Sequence, residues 1–228
     1  MGNYFDQSKT GNYLKGTFIA NCSPLGLTGL AISSSHLELL EIFRDELKIR
    51  NKGVIKRLDK YDYRLEIKDV EKLLVELRES RIDYVTKDRR FPDIVEEQFL
   101  DHLVRGFFDA KARVRKRGSY SNIQIWSNNN LLVGINEILR KHANVQHKNP
   151  SEGYVVYGHK DSIAIYNFIY RDWEFIEKSG LYIPSKKERF NPNYHADYST
   201  NPQNRRSVDM IERAIPLLID GKTATEVA

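Results

Sequence analysis

The chain repeats itself. Residues 63–69 read YRLEIKD, an alternating strand pattern that runs into a helix carrying Leu73, Leu74 and Leu77. Ninety-two positions on, residues 155–161 read VVYGHKD and are followed by Ile165, Tyr166 and Ile169. The apolar stripe Leu39, Leu40, Phe43, Leu47 recurs at the same offset as Leu131, Leu132, Ile135, Leu139. Two stripes and a Lys-Asp pair at one spacing restrict the fold to two equivalent halves about an internal two-fold axis.

Each half reads in the same order. A short apolar helix comes first, Tyr13 to Ala20 and Phe99 to Ala110. Two strands follow, Cys22 to Ser33 with a turn at Pro24 to Gly29, and Arg113 to Trp126 with a turn near Gly118. Then come a helix (36–48; 128–141), a strand pair (53–67; 144–158) and a closing helix (69–79; 161–177). The pattern αββαββα, written twice, predicts an α+β fold in which antiparallel hairpins carry helices on one face. The expected divisions are a first half at 1–82, a linker at 83–97 containing Pro92, a second half at 98–190, and a tail at 191–228.

Charge is more informative in its placement than in its total. The net charge of +5 is compatible with nucleic acid but shared by many proteins. Residues 111–117, KARVRKR, hold five cations in seven positions with no acid. As a strand of period two, this run would put Lys111, Arg113, Arg115 and Arg117 on one face. Such a face repels itself unless it meets an anion. A phosphate-contacting strand is one reading, a solvated basic loop the other.

Several classes are excluded or disfavoured. Cys22 is the only cysteine, so an intramolecular disulfide and a cysteine-based zinc site are ruled out. His142, His147, His159 and His195 show no zinc spacing, and no phosphate-binding glycine loop or G-x-S-x-G motif is present. No apolar run approaches bilayer length and the N-terminus lacks a signal-peptide core, so an intracellular protein that is not secreted is expected.

Residues 102–114, HLVRGFFDAKARV, resemble the second signature helix of the LAGLIDADG homing endonucleases, whose form is close to RGFFDADGSV. Residues 13–23, YLKGTFIANCS, resemble the first. Gly16 and Gly106 stand 90 apart, in step with the repeat, and Phe91-Pro92, Ile169-Tyr170 and Leu181 to Phe190 extend the likeness to about residues 3–190. The resemblance implies that the signature helices pack on the pseudo-two-fold axis through Gly16, Ala20, Gly106 and Ala110. It implies a DNA-binding saddle of two sheets. It also implies that the acid near the end of each motif holds a divalent metal that activates water for phosphodiester cleavage.

This chain departs from the family at those acids. The two positions are Asn21 and Lys111, an uncharged amide and a cation that repels metal. Cleavage is therefore expected to be lost, leaving sequence-specific binding of double-stranded DNA with no cofactor. Asp109 is the fallback acid, although its partner position is Ile19. The alternatives are an active or nicking endonuclease using magnesium at a non-standard site, an RNA maturase that binds structured RNA, and a protein-interaction scaffold.

On the family architecture the DNA face comprises Thr28, Ser33, Lys56, Arg57, Lys60 and Arg64 in the first half. In the second it comprises Lys111, Arg113, Arg115, Arg117, Tyr120, Gln124, Gln146, His147 and Lys148, with Trp126 read as half-buried packing. Two motifs in one chain predict a monomer. In the tail, LLIDGKTATEVA resembles the opening of a helix-turn-helix and stops before any recognition helix.

Overall fold

A computed structural model describes residues 4–26, 28–49, 52–60, 62–68, 70–83, 85–86, 89–92, 95–117 and 120–190. The helix-turn-helix-like tail at 191–228 lies outside the described residues.

The first half runs α1 (Lys9–Asn21), β1 (Cys22–Leu25), β2 (Gly29–Ser34), α2 (Leu37–Glu46), β3 (Gly53–Arg57), β4 (Tyr63–Ile67) and α3 (Glu71–Glu79). The second runs α4 (Leu100–Lys111), β5 (Ala112–Arg117), β6 (Tyr120–Trp126), α5 (Asn129–Ala143), β7 (Tyr154–Tyr157), α6 (His159–Ile169), α7 (Trp173–Ser179) and α8 (Pro184–Lys187). Local chemistry sets several ends. Ser8 caps α1 by accepting from the Gly11 amide at 3.0 Å. Asn128 caps α5 through the Leu131 amide at 2.9 Å. Asn144 closes α5 in the left-handed conformation at φ 53°, and Gly180 closes α7 at φ 68°.

Both sheets are antiparallel. The first has the order β1-β2-β4-β3 and the second β5-β6-β7. Alternation divides each into two faces. Cys22, Leu30, Ile32, Leu65 and Ile67 are buried, as are Ala112, Val114, Ile123, Ile125, Val155 and Tyr157. Helix α2 covers β2 and β4, and α6 covers β6 and β7. The opposite faces carry no helix among the described residues. The register confirms the repeat: Ile32 pairs with Leu65 as Ile123 pairs with Tyr157, at offsets of 91 and 92. All eight residues of the paired apolar stripes are buried.

The two halves meet at α1 against α4. A Cβ on Gly16 would fall 2.0 Å from the Leu103 carbonyl oxygen, and one on Gly106 would fall 2.0 Å from that of Tyr13. Residue 13 stands to 103 as 16 stands to 106, so the crossing is itself two-fold symmetric. Only glycine permits this backbone approach. Thr17 adds a hydrogen bond across the crossing, its hydroxyl donating to the Gly106 carbonyl at 3.1 Å. Phe91 packs its ring on Phe107 and closes against Gly134. At the other end of the second half, Tyr170, Leu181 and Phe190 are buried, with Phe190 against Phe108 and Tyr166.

Three expectations are corrected. The strand pair at 144–158 is a single strand, β7. Residues 144–150 form an irregular segment outside the sheet because the buried Asn136 side chain binds them, donating to the Lys148 carbonyl at 2.8 Å and accepting from its amide at 3.3 Å. The closing helix at 161–177 is two helices, α6 and α7, broken at 170–172. Lys111 ends α4 instead of opening a strand, so the cationic strand face begins at Arg113.

Candidate nucleic-acid interface

Strand alternation places side chains on the two open faces. On the second sheet Arg113 pairs with Gln124 and Arg115 with Asn122, while Gln124 also pairs with Val156 and Trp126 with Tyr154. Arg113, Arg115, Asn122, Gln124, Trp126 and Val156 therefore share one face. Arg113 and Arg115 are exposed, and among the described residues neither meets a carboxylate. Arg117 and Tyr120 pair at the far end of the same hairpin, and the Arg117 side chain lies outside the described residues.

The first sheet differs in charge balance. Ser23, Ala31, Ser33, Val54, Lys56, Arg64 and Glu66 alternate onto its open face. Lys56 is ion-paired to Glu66 at 2.5 Å, and that hydrogen bond is the main reason the Glu66 carboxyl is held below its usual range. Arg57 falls on the other side of the strand and is used by the turn, donating to the Asp59 carbonyl at 2.8 Å and that of Lys60 at 3.2 Å. Its expected place on the open face is corrected accordingly. Lys60 and Thr28 sit exposed in the turns.

The third expected group, Gln146, His147 and Lys148, is not on a hairpin. Lys148 is ion-paired to Asp161 at 3.2 Å, the Gln146 backbone N–H donates to the same carboxylate at 3.4 Å, and the His147 ring lies 3.1 Å from the Asn136 side chain. These residues fasten the irregular segment to α5 and α6.

Between the sheets, where α1 and α4 end, lies a cleft of about 670 Å³. Ala20, Asn21, Ser23 and Ser33 line it from the first half, and Lys111, Trp126, Ser127 and Asn128 from the second. Asn21 and Lys111 thus come together, as the resemblance implies. The Asn21 amide donates to the Ala110 carbonyl at 3.3 Å, which uses its nitrogen to tie the helix ends together. Burial, and secondarily the charge of Arg89, hold the Lys111 amine below its usual range. Trp126 is 37% exposed, on the open face of the second sheet.

The cleft also contains a residue no sequence pattern marked. Arg89, from the segment joining the halves, lines the wall with Val85 and Thr86. Its guanidinium donates to the carbonyls of Ile19 and Thr86, each at 3.3 Å. An isolated arginine in a polar linker has no periodicity to set it apart. Asn122 and Val156, by contrast, follow from alternation once Gln124 is placed.

A divalent metal does not fit this donor set. Among the described residues the cleft has no carboxylate lining and two cations, and no three His, Cys, Asp or Glu side chains anywhere are grouped to hold a metal. Asp109 is not available as a substitute. It is fully buried, accepts from the Tyr13 hydroxyl at 3.0 Å, and has Lys186 against its own backbone carbonyl. Burial raises its carboxyl to about 6 and lowers the Lys186 amine to about 8. Cys22 is likewise inert, its thiol pushed up to about 12 by burial. No helix among the described residues is long and apolar enough to cross a membrane.

No family model matches the chain, and no curated protein matches it. Solved structures do. The N-terminal LAGLIDADG domain of DUF199/WhiA superposes with a TM-score of 0.52 at 12% identity, over 75% of this chain and 88% of that one. Full-length DUF199/WhiA from Thermatoga maritima gives 0.49 at 12% identity, over 91% and 74%. The LAGLIDADG meganuclease I-AabMI bound to uncleaved DNA gives 0.49 at 14% identity, over 81% and 95%. Two antiparallel sheets flanked by helices, a symmetric glycine crossing and the likeness to the first of these structures establish that the chain has the LAGLIDADG fold.

Proposed function

We propose that this protein binds double-stranded DNA through the open faces of its two sheets and does not cut it. The observation that carries the reading is the second sheet: Arg113 and Arg115 stand exposed beside Gln124 and Asn122, and among the described residues no carboxylate pairs with them. Arginine and amide side chains on one ribbon suit both phosphate oxygens and base edges in a major groove. Val156, 44% exposed on that face, adds an apolar surface of the kind that meets a thymine methyl. The second support is the centre. A site lined by Lys111 and Arg89 attracts phosphate and repels the cation that hydrolysis in this fold family requires.

The neighbouring DUF199/WhiA and I-AabMI structures agree with this reading in fold only. We extend it to sequence-specific binding by a monomer with halves at 1–82 and 98–190, since each sheet would read one side of an asymmetric site. The test is fluorescence anisotropy of a mixed-sequence 30-base-pair duplex across a salt series. Affinity is expected to fall steeply, with log K declining by about 0.9 per neutralised phosphate for each unit of log salt. A salt-independent complex, or none at low salt, contradicts duplex binding.

A further inference from the structure

The chain has two tryptophans, and the fold gives them opposite surroundings. Trp173, on α7, is enclosed. The Tyr182 ring stands 5.2 Å from it, the Tyr170 ring 6.2 Å, and the Lys187 amine lies 3.6 Å from its centre. Trp126 has no such company. Among the described residues no ring or cation covers its indole, and nothing accepts from its N–H. It stands at the end of β6 on the open face, opposite Tyr154 and diagonal to the exposed Val156. It also lines the central cleft, where Val85, 64% exposed, contributes from the inter-half segment. A tryptophan left wet beside two wet valines is a contact surface until something covers it. The first half offers no counterpart. The offset of 91 along β2 and β6 puts an exposed serine, Ser35, at the equivalent position.

We propose that Trp126 packs its indole on a nucleobase at an opened base step near the centre of bound duplex DNA. The inference rests on the duplex-binding reading and adds to it a residue, a contact and a distortion of the DNA. A duplex lying across both open faces has its middle over the cleft, so its central steps pass Trp126. Base faces in an intact duplex are already stacked. An indole reaches one only where a step opens, as it does around the apolar wedges some proteins insert between bases. The surroundings favour a base over a protein. The exposed large apolar side chains here are Trp126, Val156 and Val85, and on the sheet they give way to Gln124, Asn122, Arg113 and Arg115. A protein partner calls for about 800 Å² of surface with an apolar centre. A single ring bordered by amides and cations matches one base of a polyanion. The steps that open at least cost are pyrimidine–purine steps and those beside an unpaired base. Since one half alone carries the ring, the opened step lies to one side of the axis.

Tryptophan fluorescence of the full chain tests this. W173F leaves Trp126 as the one indole, and W126F leaves Trp173. Thermal melting checks that each variant folds. The probes are the mixed-sequence duplex, the same duplex with one unpaired adenine at its centre, and its single strand. On both duplexes Trp126 emission is expected to fall by about half or more and its shielding from acrylamide to rise, with Trp173 unchanged. The unpaired base should tighten wild-type binding about tenfold; W126A should lose that preference and W126F keep it. If duplex binds while Trp126 keeps its emission and its access to acrylamide, the stacking contact is wrong and duplex binding stands. If no duplex binds at low salt, duplex binding itself fails and takes the contact with it. Tighter binding and equal quenching by the single strand overturn the opened step in favour of a single-strand platform. Emission per molecule that falls as protein concentration rises, with no nucleic acid present, overturns it in favour of contact between two copies. A W126A loss that is equal on the intact and the bulged duplex also overturns it, because a merely structural role weakens both alike.

Discussion

Gly16 and Gly106 do the same work from opposite sides of one crossing, each with a carbonyl oxygen 2.0 Å from where a Cβ would stand. The obstruction is backbone, so a new methyl forces the helices apart. G16A and G106A should each cost about 3 kcal/mol, read as a fall in urea midpoint. A cost below about 0.5 kcal/mol in either would contradict the crossing. Asp109 makes a prediction of opposite kind. Burial raises its carboxyl from 3.8 to about 6, so the native state holds that proton more tightly than the unfolded chain. Its contribution therefore declines as pH rises from about 4 to about 6, by roughly 3 kcal/mol. His36 and His102, lowered by burial to about 4, push stability the other way over the same range. D109N retains an acceptor for the Tyr13 hydroxyl and isolates the carboxylate. Urea midpoints at pH 4 to 6.5 should show the variant gaining on wild type as pH rises; parallel profiles would refute the assignment. The glycines were legible in the sequence because their 90-residue spacing repeats. The burial of Asp109 was not, because the partner that faces it, Lys186, lies 77 residues away on an unrelated helix.

Secondary-structure elements decide which cations are available. Strand β5 exposes Arg113 and Arg115, whereas Arg57 in the first sheet serves the turn between β3 and β4. R113A and R115A should each reduce the salt slope of duplex binding by about 0.9, and R57A should leave it unchanged. Anisotropy titrations at four salt concentrations suffice. An R57A slope that falls like those of the β5 variants would contradict the assignment of faces. The β5 face was legible from alternation alone, once its start is moved from Lys111 to Arg113. The 144–150 segment was not. Its residues read as a strand partner for β7, but the outcome is set by Asn136 on α5, whose amide satisfies the Lys148 backbone groups that a strand would otherwise pair. Nothing local in 144–150 reports that competitor.

At the scale of the whole molecule, symmetry and its breach both bear on the proposed duplex binding. The repeat places two sheets about one axis, and their registers agree at Ile32–Leu65 and Ile123–Tyr157. The halves then diverge. Among the described residues the first sheet has four strands and an internal Lys56–Glu66 pair, while the second has three strands and arginines that meet no carboxylate. The axis itself carries Asn21 on one side and Lys111 on the other. On the proposed reading, two unequal halves call for an asymmetric duplex site. The most direct test is selection from a randomised duplex library in the presence of magnesium or manganese, with bound molecules and newly cut ends sequenced separately. An enriched, non-palindromic motif in the bound pool, with both strands intact, is expected. New ends within that motif would contradict it, and would mean that Asn21 and Lys111 do not abolish cleavage.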